Sequence, residues 1–313
     1  MATERAHVPH LCICVCTRER PQMLSRFIES YLQLKLPAGL SISLEVVEND
    51  QQQHMQGLVT SAGTTSHPAY YHHQPKLGIP CARNTSIHAA LSRQASHIAF
   101  VDDDERFDPD WLVNIWAYLN SQPEETVVHG AVYSVLPPSA PTYYEAFFQR
   151  QIEPTDTALD FCRTNNVILP LTVLTRHGLW FDESKPLAGG TDSKLFRAAH
   201  ALGVPIKSCA EAVIYEDIPL ERANVRWLSH RNFRIGLTMG EQASQGADAN
   251  QVTHFLRQSG KATSCLTKYL ARTLLLQRKE KNIRYWFKAC KTIGCGLGSL
   301  GVKVDAYKNV QGH

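Results

Sequence analysis

Residues 97–111 read HIAFVDDDERFDPDW. An apolar run, 98–101, leads straight into Asp102, Asp103, Asp104 and Glu105. Adjacent carboxylates repel one another, more strongly where water is scarce, so the cluster calls for a cation. Asp102 and Asp104 stand at i and i+2, and at a strand end both point the same way, toward one shared ion. Clustered carboxylate oxygens suit Mg²⁺ or Mn²⁺, and Mg²⁺ binds through one or two carboxylates together with substrate phosphates. Acidic clusters also occur on solvated loops. The place of this one, at the end of an apolar strand, sets it apart.

Such acids need a frame, and the sequence outlines one. HLCICVC is a short apolar strand, followed by polar TRER, then Pro21 at a first helical position. Leu24, Phe27, Ile28, Tyr31 and Leu32 recur at helical spacing. SISLEVVEND (41–50) predicts a second strand with an acidic end, and AYYHHQPKLGIPCARN a third strand, a loop turning near Gly78 and a helix from about Pro80. HIAFV is the next strand, with a helix from about Pro109. VVHGAVYSVLP and TNNVILPLTVL predict two more strands, separated by a Pro- and aromatic-rich loop and helix. GGTDSKLFRAAHALG predicts a loop and a helix ending near Gly203, and VIYEDIP a loop. Strands alternating with helices imply an α/β fold with a mostly parallel sheet. In such sheets ligands bind beyond the carboxyl ends of the strands, which is where TRER, END and DDDE all fall.

The chain has 313 residues, 43% of them apolar, enough for a sizeable core. Nine cysteines without CxxC or zinc-type spacing, with Cys12, Cys14 and Cys16 alternating along one strand, read as buried thiols in a reducing, cytosolic compartment. The opening MATERAHVPH lacks the apolar run of a signal peptide. No window reaches the ~20 apolar residues of a membrane span. Residues 241–253 read as a polar linker. Residues 260–291 hold nine lysines and arginines against one glutamate, a net +8 in a chain of +3, so the remainder carries −5. With Trp286 and Phe287 among the basic residues, the stretch 260–304 suits the surface of an anionic membrane, on its inner face; the plainer reading is a helical tail packed on the core. Nothing in the chain suggests base readout, so nucleic acid is not an expected partner.

Taken in order, VCTRERP, VVEND, GIPCARN, AFVDDDE, GGTDSKLFRAAHALG and RWLSHRNFRIG resemble the motifs of the family 2 glycosyltransferases, over about residues 8–240. The resemblance implies a GT-A, Rossmann-like fold for a catalytic domain at 1–240, with 241–313 a linker and a basic amphipathic helical region. It implies inverting transfer of a sugar from a nucleotide-diphosphate donor, a UDP-sugar favoured, to a saccharide or lipid-linked acceptor in cell-surface polysaccharide or glycolipid synthesis. Asp104 would then hold the metal, with Asp102 and Asp103 on metal, ribose or sugar. Thr17, Arg18 and Glu19 would line the nucleotide pocket, and Glu48 stands where the family usually has an Asp on the base. Arg83 opens a helix whose dipole favours anions. Asp192 would be the general base that takes the acceptor hydroxyl's proton, although Asp at a helix start also serves as a cap. Asn165, Asn166 and Thr191 would lie near the acceptor. Arg231 and Arg234, with His230, would steady the diphosphate, since Arg forks match phosphate oxygens. His230 could instead ligate metal, and a solvated helix face is the plainer reading of all three. Glu216 and Asp217 are loop acids or acceptor contacts.

Two other readings compete. A catalytically silent relative that binds a nucleotide sugar is opposed by the intact set of Asp104, Asp192 and Arg231. A sugar nucleotidyltransferase carries a Gly-rich loop after its first strand, and CTRERP has no glycine.

Overall fold

The computed structural model describes residues 8–184, 186, 190–244, 251–275 and 279–302. Its first strand, β1 (His10–Thr17), turns Leu11, Ile13 and Val15 to one apolar cluster and Cys12 and Cys14 to another. Both faces are therefore covered, as parallel strands between helix layers require. Pro21 opens α1 (Pro21–Tyr31), whose Leu24, Phe27, Ile28 and Tyr31 join the Leu11 cluster. There follow β2 (Ser41–Glu48), α2 (Gln56–Ala62), β3 (Ala69–His73), α3 (Ile79–Ser92) and β4 (His97–Asp102). Strands β3, β2, β1 and β4 lie side by side and parallel, with Thr17 opposite Glu48 and Cys16 opposite Asp102. The polar ends of three strands from distant parts of the sequence thus meet on one edge.

The chain then crosses to the far side of the sheet. It forms β5 (Glu105–Phe107), α4 (Trp111–Asn120), β6 (Val127–Val135), α5 (Glu145–Phe148), β7 (Val167–Pro170), α6 (Leu171–Arg176), α7 (Thr191–Ala201) and β8 (Ile206–Asp217). The eight strands run in the order β3-β2-β1-β4-β7-β6-β8-β5, with β7 antiparallel to β4 and β6, and β5 antiparallel to β8. This is the expected α/β architecture, a mixed sheet with helices on both faces. Two expectations need correction. TNNVILPLTVL is a strand only to Pro170, after which LTVLTR is a short helix entered from Pro170. VIYEDIP, expected as a loop, is mostly strand, the end of β8.

Strand β8 pairs with β6 in two stretches. Val127 to Gly130 match Ile206 to Cys209; then Ala131 matches Val213, leaving Ala210, Glu211 and Ala212 as a bulge. Asn166, left-handed at φ 60°, closes the break: its Nδ2 donates to the Ala131 and Ala212 carbonyls at 2.7 and 2.8 Å, and its Oδ1 accepts from Trp111 Nε1 at 2.7 Å. A side chain on Gly130 would collide with Asn166 and with the Ala212 carbonyl.

The chain divides into two compact units. Among the described residues the first comprises 8–135 and 148–217 and the second 136–147 and 218–302, a boundary inside the expected 1–240 domain. The second unit holds α8 (Val225–Ser244), α9 (Gln251–Leu274) and α10 (Lys279–Ser299). Helix α8 covers the start of the expected linker and α9 its end; residues 245–250 of that linker, and 276–278 and 303–304 of the basic segment, lie outside the described residues. Among the described residues no helix is long and apolar enough to cross a membrane.

Helices α8 and α10 touch backbone to backbone through two glycine pairs at i, i+4 spacing. A Cβ on Gly236 would lie 2.0 Å from the Lys291 carbonyl oxygen, and one on Gly240, Gly294 or Gly298 2.1 Å from another. Close approach of this kind requires small residues. Ala for Gly in a helix normally stabilises by up to about 1 kcal/mol. Gly236→Ala is instead expected to destabilise by about 2 kcal/mol, because the helices must separate. Gly260→Ala on α9, where a Cβ meets nothing within 4 Å, serves as the control and should stabilise. Urea unfolding of both variants checks the pair.

Candidate active site at the strand ends

The acidic segment keeps strand alternation through its turn. Val101, Asp103, Glu105 and Phe107 are buried, while Asp102, Asp104 and Arg106 face outward to varying degree. This separates the four acids into two kinds. Asp103 Oδ2 accepts from Thr17 Oγ1 at 2.8 Å, and Oδ1 pairs with Arg20 Nη1 at 2.8 Å. Glu105 accepts the Asp102 backbone N–H at 2.8 Å and an Asn165 Nδ2–H at 3.3 Å. These two hold the turn from within.

Asp102 and Asp104 are left on the outer side. The Asp102 side chain is 46% exposed, with Arg83 Nη2 at 3.7 Å; the Asp104 side chain is only 10% exposed and lies 3.7 Å from Arg20 Nη1. Burial among neighbouring protein atoms pushes the Asp102 carboxyl up to about 6; Arg83 opposes this, and Asp104 and Asp103 reinforce it. Glu105 is raised well above the usual carboxylate range, by burial first and then by Asp102. Burial alone would lower the Arg20 pKa, but Asp103 and Asp104 more than offset it, so the guanidinium stays charged. Four carboxyl groups thus share a small space with the guanidinium groups of Arg20 and Arg83. Among the described residues no group of three or more His, Cys, Asp or Glu side chains is arranged as a complete metal site. Two outward carboxylates, one with an open edge, nevertheless fit a hard divalent ion that takes its remaining oxygens from phosphate and water.

The TRER loop borders this edge. Glu19 is exposed and left-handed at φ 52°, an uncommon conformation for a side-chain-bearing residue. Among the described residues Arg18 Nε is buried with no hydrogen-bond partner, an orphan donor that an anion would satisfy. Arg83, 12% exposed, stands over the Phe181 ring at 5.5 Å. Glu48 is fully buried. Its carboxylate accepts from the backbone N–H groups of His54 and Met55 at 3.0–3.1 Å and from Tyr71 Oη at 2.6 Å, so it organises the 50–55 loop from beneath. Asn49 does similar work above it: its Nδ2 donates to the Gln74 and Lys76 carbonyls and its Oδ1 accepts from Gly78 N.

Asp192 occupies the first turn of α7, but the N-cap is Gly190, at φ 81°. One Asp192 oxygen accepts the Ser193 N–H at 2.8 Å, and among the described residues the other accepts no hydrogen bond. Thr191, beside it, is half-buried. Asn165 is buried against Glu105, whereas Asn166 is spent on the β6–β8 break and on Trp111 of α4. Glu216 and Asp217, at the end of β8, are ion-paired: Glu216 Oε2 with Arg150 at 2.6 Å, and Asp217 with Arg106 through two bonds of 2.9 Å. His230, Arg231 and Arg234 lie on α8 in the second unit, with Arg231 over the Trp227 ring at 5.5 Å.

Sequence reasoning passed over Arg20, Arg150, Arg163 and His129. Arg20 was within reach, since it sits in the quoted TRER. Arg150 and Arg163 gave no signal, because their partners and neighbours are far away in sequence.

A family model described as Glycosyl transferase family 2 matches residues 12–173. The chain is 27% identical over 299 residues to the succinoglycan biosynthesis protein ExoM of Rhizobium meliloti (strain 1021), covering 94% of each. Among solved structures it is similar to the mannosyltransferase PcManGT from Pyrobaculum calidifontis in complex with GDP-Man and Mn²⁺. The TM-score is 0.63 at 15% identity, over 94% of this chain and 88% of that one. It is also similar to S. aureus TarS 1-349 in complex with UDP-GlcNAc, with a TM-score of 0.53 at 13% identity, over 90% of this chain and 79% of that one.

Proposed function

Because the chain belongs to glycosyltransferase family 2 and is a GT-A glycosyltransferase, we propose that it transfers a sugar, with inversion, from a nucleotide-diphosphate donor to a saccharide or lipid-linked acceptor. A UDP-sugar is the favoured donor, and cell-surface polysaccharide or glycolipid synthesis the setting, in keeping with the succinoglycan role in the name of the relative ExoM. The observation that carries the reading is the pair Asp102 and Asp104 at the end of β4, with Arg20 and Arg83 beside them at 3.7 Å.

In this reading Asp102 and Asp104 hold a divalent ion, Mn²⁺ or Mg²⁺, whose charge neutralises the leaving diphosphate. Arg18 and Arg83 face the phosphates, with Thr17, Glu19 and the 48–50 turn around the nucleoside. Asp103 acts through Thr17 and Arg20, fixing the turn that aims its neighbours. Asp192 takes the proton of the attacking acceptor hydroxyl, with Thr191 and Asn165 on the acceptor side.

The basic region is proposed to rest on the inner face of a membrane. On α9, Leu270 and Leu274 are 58% and 82% exposed and share the helix with Lys268 and Arg272, the combination an anionic lipid surface attracts.

Calorimetric titration with UDP and GDP, with and without Mn²⁺, tests the donor site. Metal-dependent binding of one nucleotide, weakened at least about tenfold by Asp104→Ala, is the expected result. Equal binding without metal would remove the ion from the reading, and no binding of either nucleotide would remove the donor site.

A further inference from the structure

A cleft of about 260 Å³ opens at the β6–β8 bulge. Its wall includes His129, Arg150, Cys162, Arg163 and Ala210. Two guanidinium groups at one small cleft repel each other, and only one of them has a protein partner: Arg150 is paired with Glu216, while Arg163, an exposed residue, has neither hydrogen bond nor ion pair among the described residues. Glu153 also lines the cleft but pairs with neither arginine. Desolvation and the like charge of Arg150 lower the Arg163 pKa, with Asp192 and Glu216 acting on it only from a distance. His129 adds no competing charge: burial, then Arg150 and Arg163, hold its pKa down at about 4, so the ring is neutral. Arg163 stands two residues before Asn165, whose Nδ2 donates to Glu105 at 3.3 Å, which ties the cleft wall to the acidic turn. Asp192 acts electrostatically on both Arg163 and Cys162, and Arg150 lies within the field of Asp102 and Glu105.

We propose that this cleft is an acceptor subsite that takes an oxyanion, a carboxylate or phosphate carried by the acceptor, on the unpaired guanidinium of Arg163. The inference rests on the reading of Asp192 as the base on the acceptor side. An Arg fork offers a planar group of this class two hydrogen bonds where a neutral hydroxyl makes one. The anion would complete a cationic pair that the fold leaves half-neutralised, and the subsite would select acidic acceptors over neutral ones.

The test titrates methyl glucuronide, glucose 1-phosphate and methyl glucoside into the full chain at low salt. Wild type, Arg163→Ala and Arg163→Lys are compared, with UDP and GDP titrated in parallel. At least one anionic ligand should bind about tenfold more tightly than the glucoside; Arg163→Ala should abolish the preference and Arg163→Lys retain part of it. Preference for the glucuronide assigns the anion to an acidic sugar, and preference for glucose 1-phosphate to a phosphate such as that of a lipid-linked acceptor. Equal binding of all three, or a preference that survives Arg163→Ala, overturns the subsite. The two readings fail separately: absence of nucleotide binding removes the donor site, whereas nucleotide binding without discrimination among the sugars removes the subsite alone.

Discussion

Asp192→Asn lowers turnover by about a hundred- to ten-thousand-fold and leaves nucleotide affinity within about twofold. The substitution keeps the size of the side chain and the oxygen that accepts the Ser193 N–H, so the first turn of α7 survives. What it removes is the carboxylate proposed as the proton acceptor. A carboxylate in a first turn also favours the helix dipole, but that is worth only about 0.3–1 kcal/mol. The cap belongs to Gly190, so no capping bond is lost. A structural role for Asp192 would therefore show as a small drop in melting temperature with turnover intact. Measuring nucleoside diphosphate release together with thermal unfolding separates the two outcomes.

Arg150→Met costs about 3 kcal/mol of stability at neutral pH. Its guanidinium stands between Glu216, bonded at 2.6 Å, and the fields of Glu105 and Asp102. Removing it leaves the part-buried Glu216 without its ion-pair partner and the buried Glu105 without a nearby positive charge, while Met keeps most of the packing of the stem. The deficit is pH-dependent. Glu105 has a folded-state pKa raised above its unfolded value, so it favours folding below the unfolded pKa and that contribution is lost as pH rises through the folded one. Without Arg150 the raised pKa climbs further. The gap between variant and wild type should thus grow as pH rises through the folded-state pKa of Glu105 and narrow as the solution is acidified below it. Urea unfolding at several pH values measures it; a deficit independent of pH would mean that only the packing of the stem was lost.

The parts of this molecule legible in its sequence are those governed by local pattern. Strands β1, β2 and β4 are apolar runs with polar ends because helices bury both of their faces, and parallel pairing sets those ends side by side. The split of the acids into an inward and an outward pair follows from alternation, so the spacing of Asp102 and Asp104 could be read directly. Strand β8 was hidden, because the bulge at Ala210, Glu211 and Ala212 breaks its alternation midway, and β5 is too short to show one. Pairings across long separations were not visible either. Nothing near Arg150 announces Glu216, sixty-six positions away. Glu48 and Asn166 show the opposite limit: polar residues at plausible positions whose hydrogen bonds turn out to be internal to the fold.

The bulge between β6 and β8 bears on how such a protein can change over generations. On either side of it the two strands stay in fixed register, and Asn166 ties the gap to Ala131 and Ala212. Residues added or removed between Cys209 and Val213 would alter the floor of the cleft without slipping either pairing. The strand ends that carry Thr17, Glu48 and Asp102 lie across the sheet in an unbroken parallel set. A lineage could therefore remodel this cleft by insertion at one point while inheriting unchanged the strand ends that carry the acidic edge.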